Sequence, residues 1–526
     1  MPIAAWIFQV IIRREWAISL IRRRERAVPS GVRSIALKGI VLLPSSLVFA
    51  LHIVISVGLT FRLLYRKLAV STTLAWIIIL FSLPYIGIFF YFLFGDHRMG
   101  RKRLSQGTRI RQFYQRRYGI EEDPLMDVTL DVSPTMRALS QSVATHPGFP
   151  VTHDNKLELL EDAADILDRI VADIDGATNT CFLEFYIVEP EGRVVAVMEA
   201  LVRAAKRGVD CNLLADSFGS KALFRSSWLH RLRKAGVDVE ESLPVGVIKS
   251  LSQRSDLRNH RKLIAIDQAI GYIGSFNLVD PKFFKKDKDV GEWVDSMFRL
   301  EGRIVDSIGC VFNADYIFDC VGLEVDREAL RDLPTDRPDV PPAGNVSLQL
   351  LPSGPETRDS PIHEWVVSAI FSAQRRVSII TPYFIPDETL TLALKAARKR
   401  GVAVDVIVPE RIDSRLAQYA SESVFEELLD AGIHIARYSD GLLHTKCVLV
   451  DDTVSMLGTV NMDTRSFYLN LELTLIAYDR DVSRLMDGLR ERYLAKCTYI
   501  DASNWAARSN WRRMTENILR LAAPLL

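Results

Sequence analysis

The sequence has few cysteines, little net charge and no cluster of histidines. Its 526 residues include six cysteines and nine histidines, and 66 basic side chains almost balance 65 acidic ones, for a formal charge of +1. No cysteine pair has Cys-x-x-Cys spacing, so we predict reduced cysteines in a core, as in a cytosolic domain, and no metal site or metal cofactor. The near-neutral charge gives no electrostatic case for nucleic acid as a partner.

Two long stretches near the N-terminus carry no formally charged side chain. They cover residues 39–61 and residues 68–95, which are 23 and 28 residues long. As helices rising about 1.5 Å per residue, each could cross a hydrocarbon core of about 30 Å. We therefore predict a two-helix transmembrane hairpin within residues 35–95. More basic residues lie outside the hairpin than in its connecting loop, which predicts that both termini are cytoplasmic.

Basic segments flank the predicted hairpin. Residues 1–34 contain seven arginines among apolar residues, and this arm is either an interfacial amphipathic helix or a disordered cytoplasmic segment. Residues 96–145 are predicted to be a basic juxtamembrane linker. This linker either attracts anionic lipid headgroups or mainly sets the topology.

A nine-residue motif occurs twice in the remainder of the chain. Residues 259–267 read NHRKLIAID and residues 443–451 read LHTKCVLVD, so a His is followed by Lys after two residues and by Asp after seven. Each copy leads to a Gly-x-x-Asn turn, which ends at Asn277 in the first copy and at Asn461 in the second. A single His-x-Lys would carry little information, but two copies with the same downstream turn are not a chance pattern.

The local structure predicted for the motif brings its His and Lys together. The apolar run after each His predicts a buried strand, on which side chains two residues apart share a face. The pairs that share a face are His260 with Lys262 and His444 with Lys446. Lys neutralises phosphate oxygens while His supplies a nucleophile or a proton, so the pair suits attack on a phosphate ester. Asp267 and Asp451 fall on the opposite face, where we expect them to brace the turn rather than transfer protons.

The sequence around the motif is duplicated as well. Four pairs of segments align, namely 185–187 with 383–385, 206–209 with 399–402, 235–237 with 431–433, and the two motif strands, at offsets of 198, 193, 196 and 184 residues. The shared βαβαβ order predicts an α/β fold with two duplicated domains. These are residues 146–330 and 346–526, joined by a Pro-rich linker at residues 331–345.

The motifs resemble the phospholipase D superfamily, whose signature is H-x-K-x(4)-D followed by G-[GS]-x-N, and within it the bacterial cardiolipin synthases. The blocks that carry the resemblance beside the motif are residues 182–187, 256–262, 381–387 and 520–526. The resemblance implies one site where the halves meet about a pseudo-twofold axis, with both histidines facing the scissile phosphate. One His becomes a phosphohistidine and the other serves as acid and then base. Analogy favours His260 as the nucleophile and His444 as the acid/base.

The resemblance also implies roles for further side chains. Lys262, Lys446, Asn277 and Asn461 hold the non-bridging phosphate oxygens, with Ser275 and Thr459 helping, so that neither a metal nor another cofactor is required. Asp295 and Glu472 are nominated as the acidic residues behind the histidines. Glu184, Tyr186 and Tyr383 either line the cleft or pack in the core.

The function implied by the resemblance is that of a phosphatidyltransferase of the bacterial cell membrane. It would be a multi-pass protein with cytoplasmic catalytic domains that makes cardiolipin and glycerol from two molecules of phosphatidylglycerol. A hydrolase that uses water, or a transphosphatidylase that uses another acceptor such as phosphatidylethanolamine, is the alternative. A nuclease is disfavoured by the duplication, the charge and the apolar segments, and a silent lipid-binding scaffold by the two intact motifs. Oligomeric state and acyl-chain preference stay open.

Overall fold

The computed structural model describes residues 45–66, 70–95, 130–145, 149–244, 257–320, 340–355 and 360–520, together with positions 109 and 112. The described residues fall into two compact units, one within residues 1–98 and the other within residues 99–245 and 257–526. The predicted arm at 1–34 lies outside the described residues. So do most of the predicted linkers at 96–145 and 331–345 and the closing residues 521–526.

The smaller unit consists of apolar helices. They are α1 (Ser45–Tyr65), α2 (Val70–Ser82) and α3 (Ile86–Phe94). Within α1, Ser46–Tyr65 has a mean hydropathy of 2.1 over its best window and is long enough to cross a membrane. The predicted second crossing at 68–95 is instead divided between α2 and α3. The break follows from Pro84, which lacks a backbone donor, and from Tyr85, whose φ of +64° is left-handed. Among the described residues, one helix rather than two therefore has the length and composition of a span.

The larger unit contains alternating helices and strands. Its helices are α4 (Pro134–Thr145), α5 (Ala163–Gly176), α6 (Val194–Lys206), α7 (Lys221–Arg225), α8 (Ser227–Ala235), α9 (Ile304–Cys320), α10 (Pro361–Ser372), α11 (Glu388–Lys399), α12 (Arg415–Glu422), α13 (Phe425–Asp430), α14 (Thr464–Tyr468), α15 (Arg480–Leu494), α16 (Ala502–Ala506) and α17 (Asn510–Arg520). Its strands are β1 (Thr152–Leu160), β2 (Thr180–Phe185), β3 (Asp210–Asp216), β4 (Asp238–Ser242), β5 (Lys262–Ile266), β6 (Ile270–Gly274), β7 (Trp293–Val294), β8 (Met297–Glu301), β9 (Val346–Ser353), β10 (Arg376–Ile380), β11 (Phe384–Ile385), β12 (Ala403–Pro409), β13 (His434–Tyr438), β14 (Leu442–Leu443), β15 (Cys447–Val450), β16 (Val454–Gly458), β17 (Met462–Asp463), β18 (Glu472–Ala477) and β19 (Cys497–Tyr499).

Fifteen of the described strands form one mixed sheet. Their order is β19-β13-β12-β10-β15-β16-β18-β9-β1-β8-β6-β5-β2-β3-β4. The sequence β8-β6-β5-β2-β3-β4 on one side of β1 is repeated as β18-β16-β15-β10-β12-β13 on the other side of β9. Strands β1 and β9 pair antiparallel where these halves meet. The strand order thus repeats as the sequence repeat predicts, within one continuous sheet.

The strand register corrects one sequence alignment. Glu184 pairs with Leu263 and Ile380 pairs with Cys447. Because Leu263 and Cys447 each follow the motif lysine, Glu184 corresponds to Ile380, at an offset of 196 residues rather than the 198 obtained from the aromatic triplets. The aromatic residues were misleading because the first triplet begins at Phe185, the last residue of β2, whereas the second begins at Tyr383, three residues beyond the end of β10.

The motif strands lie in the deepest part of the unit. Every residue of β5 and β15 is buried, because helices cover both faces of the sheet. One apolar cluster contains side chains of both halves, among them Leu263, Leu300, Leu348 and Leu475. The halves therefore share a core, and the histidines that precede these strands stand on a rigid base.

The motif aspartates brace the turns at the far ends of the motif strands. Asp267 has a φ of +52° and accepts hydrogen bonds from the backbone nitrogens of Thr178, Asn179 and Thr180 at 2.7, 2.7 and 2.8 Å. Asp451 has a φ of +54° and accepts them from the backbone nitrogens of Gln374, Arg375 and Arg376 at 3.1, 2.7 and 3.0 Å. Each carboxylate thereby ties its turn to the segment that enters β2 or β10, at the opposite end of the strand from the motif histidine.

We expect Asp451→Ala to lower the free energy of unfolding by about 1–3 kcal/mol, because three backbone donors lose their acceptor and alanine is strained in a left-handed conformation. Urea unfolding of the detergent-solubilised protein measures this change. Asp452→Ala in the same turn is the matched control. Asp452 pairs only with the exposed Arg375 among the described residues, so its loss should cost less than about 1 kcal/mol. Equal losses for the two variants would contradict the bracing role.

Candidate active site

The two motif histidines are each held by the backbone of the opposite half. The backbone nitrogen of His260 donates to the carbonyl oxygen of Leu471 at 2.9 Å, and that of His444 donates to Val294 at 2.7 Å. Asn259 forms a parallel bridge with Leu471, and β14 pairs in parallel with β7. The segment before each histidine therefore lies beside a segment of the other half that ends in a carboxylic acid.

Those carboxylates bind the histidines across the interface between the halves. Nδ1 of His260 lies 2.8 and 3.0 Å from the two carboxylate oxygens of Glu472, and Nδ1 of His444 lies 2.8 Å from Oδ1 of Asp295. An imidazole whose Nδ1 faces a carboxylate carries its proton there and keeps a lone pair on Nε2. Asp295 and Glu472, nominated from the sequence, thus lie behind the histidines, and each serves the histidine of the other half.

The hydroxyl groups of Ser275 and Thr459 also bind these carboxylates. Ser275 Oγ donates to Asp295 Oδ1, and Thr459 Oγ1 donates to Glu472 Oε2. From the family resemblance we expect these hydroxyls to help hold phosphate oxygens. Their protons are instead directed to the carboxylates, because the Gly-x-x-Asn turn places them beside the strand that carries the acid. They stabilise the ionised carboxylates rather than contribute donors to a phosphate.

The motif lysines are fully buried between the histidines and the core. Nζ of Lys262 donates to the carbonyl oxygen of His260 at 2.7 Å, and Nζ of Lys446 donates to that of His444. Burial lowers the pKa of Lys262 to about 8 and that of Lys446 well below its usual value. An anion entering the site would relieve this unfavourable burial of positive charge.

The charges of each motif copy act on the histidine of the other copy. Burial lowers the pKa of His260 well below its usual value, and the charges of Lys262 and Lys446 lower it further. Burial also lowers the pKa of His444. This effect outweighs the rise caused by Asp295, and the charges of both lysines lower the pKa further. Each lysine thus acts on the histidine of the other half, and both imidazoles are neutral near pH 7.

The two carboxylates differ in basicity. Burial raises the pKa of Glu472 to about 7, although Lys262 and Thr459 oppose the rise. For Asp295 the rise caused by burial is outweighed by His444 and Lys446, so its pKa lies below the usual value. The acid behind His260 is therefore the more basic of the two, although the halves share one architecture.

The asparagines of the Gly-x-x-Asn turns are buried close to this cluster. Asn277 is 1% exposed, and its Oδ1 accepts a hydrogen bond from the backbone nitrogen of Ile187 at 3.2 Å. Its Nδ2 has no partner within the described part of the chain. The Oδ1 atom of Asn461 likewise has none among the described residues. An unpaired buried amide is costly, and a phosphate oxygen would satisfy the donor of Asn277.

An ion pair behind His260 was missed by the sequence analysis. Arg261 Nε donates to the carbonyl oxygen of Glu472 at 3.1 Å, and Arg261 Nη1 forms a buried ion pair with Asp315 of α9. In the other half Thr445 occupies the place of Arg261, and its hydroxyl lies 2.9 Å from the hydroxyl of Tyr493 in α15. Asp315 could not have been found from the sequence, because an isolated acid on a helix has no motif around it.

The three residues expected either to line the cleft or to pack in the core have different contacts. Tyr186 lies edge to face with His260, with ring centroids 5.0 Å apart. The hydroxyl of Tyr383 donates to Asp413 at 2.6 Å, and Lys285 of the other half binds the same carboxylate at 2.8 Å. Glu184 is fully buried and accepts from the Nδ2 of Asn259 at 2.6 Å, so it supports the segment before His260 instead of lining a cleft.

The arrangement combines two neutral imidazoles with two buried lysines. It is suited to a substitution at phosphorus in which one histidine attacks and the other transfers a proton. Among the described residues, no group of three or more His, Cys, Asp or Glu side chains is arranged to hold a metal ion.

Comparison with known proteins identifies relatives along most of the chain. A family model described as "Cardiolipin synthase, PLD-like domain" matches residues 170–314 and 366–493, and one described as "Phospholipase_D-nuclease N-terminal" matches residues 54–95. Cardiolipin synthase A of Erwinia tasmaniensis is 38% identical over 482 residues, covering 91% of this chain and 98% of that protein. Cardiolipin synthase A of Klebsiella pneumoniae (strain 342) is 36% identical over 471 residues, covering 89% and 96%.

The fold has a counterpart among solved structures. The crystal structure of phosphatidylserine synthase from Haemophilus influenzae Rd KW20 superimposes with a TM-score of 0.54 at 16% sequence identity, covering 70% of this chain and 95% of that one. At this identity the likeness concerns the fold alone.

We expect the rate to fall as the pH drops through about 7, because Glu472 titrates there. Above this pH ionised Glu472 accepts the Nδ1 proton of His260, whereas below it protonated Glu472 no longer does. Glu472→Gln should lower kcat by about 10²–10⁴-fold and remove this acid limb. The pH dependence of kcat for both proteins tests the expectation.

Asn470→Ala is the control for the pH experiment. The side-chain nitrogen of Asn470 donates to Glu472 at 3.1 Å and stabilises its charge, so its removal should move the acid limb to higher pH without loss of the maximal rate. An acid limb that persists unchanged in Glu472→Gln would contradict the assignment.

Proposed function

The chain belongs to the family of cardiolipin synthases with phospholipase D-like domains, and we propose that His260 and His444 carry out its reaction at one site shared by the two halves. The enzyme is a phosphatidyltransferase that makes cardiolipin and glycerol from two molecules of phosphatidylglycerol through the family's phosphohistidine intermediate. The observation that carries the assignment of residues is the crossed pair of His–carboxylate hydrogen bonds between the halves.

In the first step, Nε2 of His260 attacks the phosphorus of a phosphatidylglycerol. The bond from phosphorus to the glycerol oxygen breaks as glycerol leaves. His444 enters this step protonated at Nε2, which the phosphate anion favours by offsetting the lysine charges, and it gives that proton to the glycerol oxygen. The phosphatidyl group is then bound to His260 and His444 is a neutral base. In the second step, His444 removes the proton of the terminal hydroxyl of a second phosphatidylglycerol. The resulting oxygen attacks phosphorus, the phosphorus–nitrogen bond breaks and cardiolipin is released.

The choice of His260 as nucleophile rests on family analogy and on the asymmetry of the carboxylates. A phosphorylated imidazole that keeps its Nδ1 proton carries a positive charge. The more basic acid stabilises that charge better, and it is Glu472, behind His260. Asp295, the weaker base, leaves the proton of His444 free to move between its Nε2 and the substrate oxygens.

The remaining polar groups are proposed to bind the phosphate. Lys262 and Lys446 each bind the backbone of their own motif histidine and act electrostatically on both imidazoles, so they would neutralise the non-bridging oxygens. The unpaired Nδ2 of Asn277 would donate to one of these oxygens. Asn461 ends the equivalent turn of the second half and is proposed to donate through its Nδ2 atom. Fixed donors of this kind stabilise the charge that develops on these oxygens in the transition state.

A substrate whose leaving group needs no protonation distinguishes the roles of the two histidines. With phosphatidyl-p-nitrophenol, we expect His444→Ala to release about one equivalent of nitrophenol in a rapid burst, because a good leaving group does not require an acid. His260→Ala should give no burst, because it lacks the nucleophile. With phosphatidylglycerol, both variants should lose activity by at least about 10³-fold. Stopped-flow absorbance and lipid chromatography measure these outcomes.

The products separate the competing functions. The unmodified enzyme should convert phosphatidylglycerol into cardiolipin and glycerol, whereas phosphatidic acid as the sole product would identify a hydrolase. A burst from His260→Ala and none from His444→Ala would reverse the assignment of nucleophile and acid.

We also propose that both apolar segments cross the membrane and that the larger unit is cytoplasmic. The match of residues 54–95 to an N-terminal family model and the length of α1 support membrane association. The divided second segment would cross as α2 and α3 together, which membrane helices tolerate at a proline.

Cysteine labelling of spheroplasts tests this topology. Tyr65, which is 90% exposed at the end of α1, should react as Tyr65→Cys with an impermeant maleimide added outside. Ala269→Cys, in the exposed turn between β5 and β6, should react only after permeabilisation. The unsubstituted protein corrects for its own six cysteines. Labelling of both sites, or of neither, before permeabilisation would contradict the proposal.

A further inference from the structure

Helix α17 is amphipathic, but it is turned the wrong way for a soluble protein. Trp511, Met514 and Ile518 lie at i, i+3 and i+7, which is one stripe of a helix. Their side chains are 77%, 54% and 54% exposed, whereas Glu516 on the other side of the helix is 1% exposed. A surface helix normally buries its apolar stripe and exposes its charges. In α17 the charge faces inward and the apolar stripe faces outward.

Ion pairs hold α17 in this orientation. Arg512 binds Glu422 of α12 at 2.9 Å and Glu516 of its own helix at 3.1 Å. Arg513 binds Glu426 of α13 at 3.0 Å. Because these contacts occupy the inward face, rotation of the helix to bury its apolar stripe would break each of them. The exposure of the stripe is therefore built into the contacts of α17 with its neighbours.

α12, the helix that α17 contacts, begins just beyond the end of a strand in the large sheet. α12 follows the end of β12, which runs parallel to β10, and the last residue of β10 pairs with Cys447 next to the motif lysine. Asp413, two residues before α12, binds Tyr383 and Lys285 and is affected electrostatically by His444. α17 thus packs on a helix whose first turn begins two residues after a side chain that contacts Tyr383 and Lys285.

A lipid bilayer suits the stripe better than a second protein. A stable protein–protein interface takes about 800 Å² from each partner, which is more than three partly exposed side chains on one short helix provide. Tryptophan favours the level of the lipid headgroups, where its ring is in apolar surroundings and its N–H meets polar groups. The following residues in the sequence, LAAPLL, carry no charged side chain and would extend the apolar character.

We propose that α17 is a membrane-interface helix, which inserts Trp511, Met514 and Ile518 into the bilayer surface and so holds the catalytic unit against the membrane that contains its lipid substrate. The proposal rests on the proposed function for the nature of the surface. It adds a membrane contact made by the larger unit, separate from the apolar helices α1 to α3.

Spin labels on the full-length protein test this contact. The protein is reconstituted into vesicles of phosphatidylethanolamine and phosphatidylglycerol, with a nitroxide attached at Met514→Cys or, as a control, at Ala269→Cys in an exposed turn. Oxygen concentrates in lipid and a nickel chelate stays in water, so power saturation compares the two surroundings. We expect the ratio of oxygen to nickel accessibility to be several times higher at 514 than at 269. Labelled parent protein gives the background.

Each result of the labelling experiment supports or overturns the proposal. Equal ratios at both positions would place the stripe in water, and low accessibility to both reagents at 514 would mean that protein covers it. Both results overturn the contact with lipid. Cardiolipin formation is assayed in the same vesicles, so a lipid-exposed label without cardiolipin would refute the proposed function but leave the contact standing.

Polar substitution provides a second readout. The variant Trp511→Gln, Met514→Ser, Ile518→Ser changes only exposed side chains, so the fold should persist. We expect its KM for phosphatidylglycerol in vesicles to rise several-fold with kcat unchanged, and its kinetics in detergent micelles to match the parent. The exposed Asn517→Ser on the same helix is the control. Unchanged kinetics in vesicles would contradict a role of the stripe at the membrane.

Discussion

The structure of the site depends on a crossed pair of hydrogen bonds in which each half of the sheet supplies the carboxylate for the other half's histidine. Neither half alone contains a histidine together with its acid, because the acid that binds each imidazole belongs to the other half. The pairing of β1 with β9, the shared apolar cluster and the short strands β7 and β14 all keep the halves in register for these contacts. Each histidine of the duplicated chain thus depends on an acid of the other half, because the supporting residues cross the interface.

The symmetry of the scaffold conceals an asymmetry in the support of each histidine. Behind His260, the ion pair between Arg261 and Asp315 fixes the backbone of Glu472, whereas the equivalent place behind His444 holds a neutral hydroxyl pair. A charged network resists displacement more strongly than two hydroxyls do. The acid on this side is also the more basic one. A two-step transfer needs one histidine that holds a covalent group and one that passes a proton. Under the proposed assignment, the more strongly supported His260 would hold the covalent group.

Much of this architecture could be predicted from the sequence because the motif repeats and its strands are apolar. The spacing of His260 and Lys262 fixes a common face, and the repeated segments fix the strand order of both halves. The sequence could not predict that each acid binds the histidine of the other half, because this depends on how the two halves are arranged in space. The offset of the aromatic triplets was wrong because the first triplet begins inside β2 and the second begins beyond the end of β10. Pro84 marks an interruption in the second apolar segment, but membrane helices tolerate proline, so the sequence alone did not predict that the helix ends there. Long-range partners such as Asp315 leave no local pattern.

The charges of the site determine what it recognises and what it cannot distinguish. Lys262 and Lys446 are buried at a cost that an anion would offset, so in the proposed function binding energy would come mainly from the phosphate group. Every phosphodiester presents that group, and the buried residues therefore favour the reaction at phosphorus without selecting the alcohol. Selection of a lipid acceptor over water must then come from the rim of the site and from the surface on which the enzyme works. An enzyme held against a bilayer meets lipid hydroxyls at a high local concentration, and this favours transfer over hydrolysis without any change in the catalytic residues.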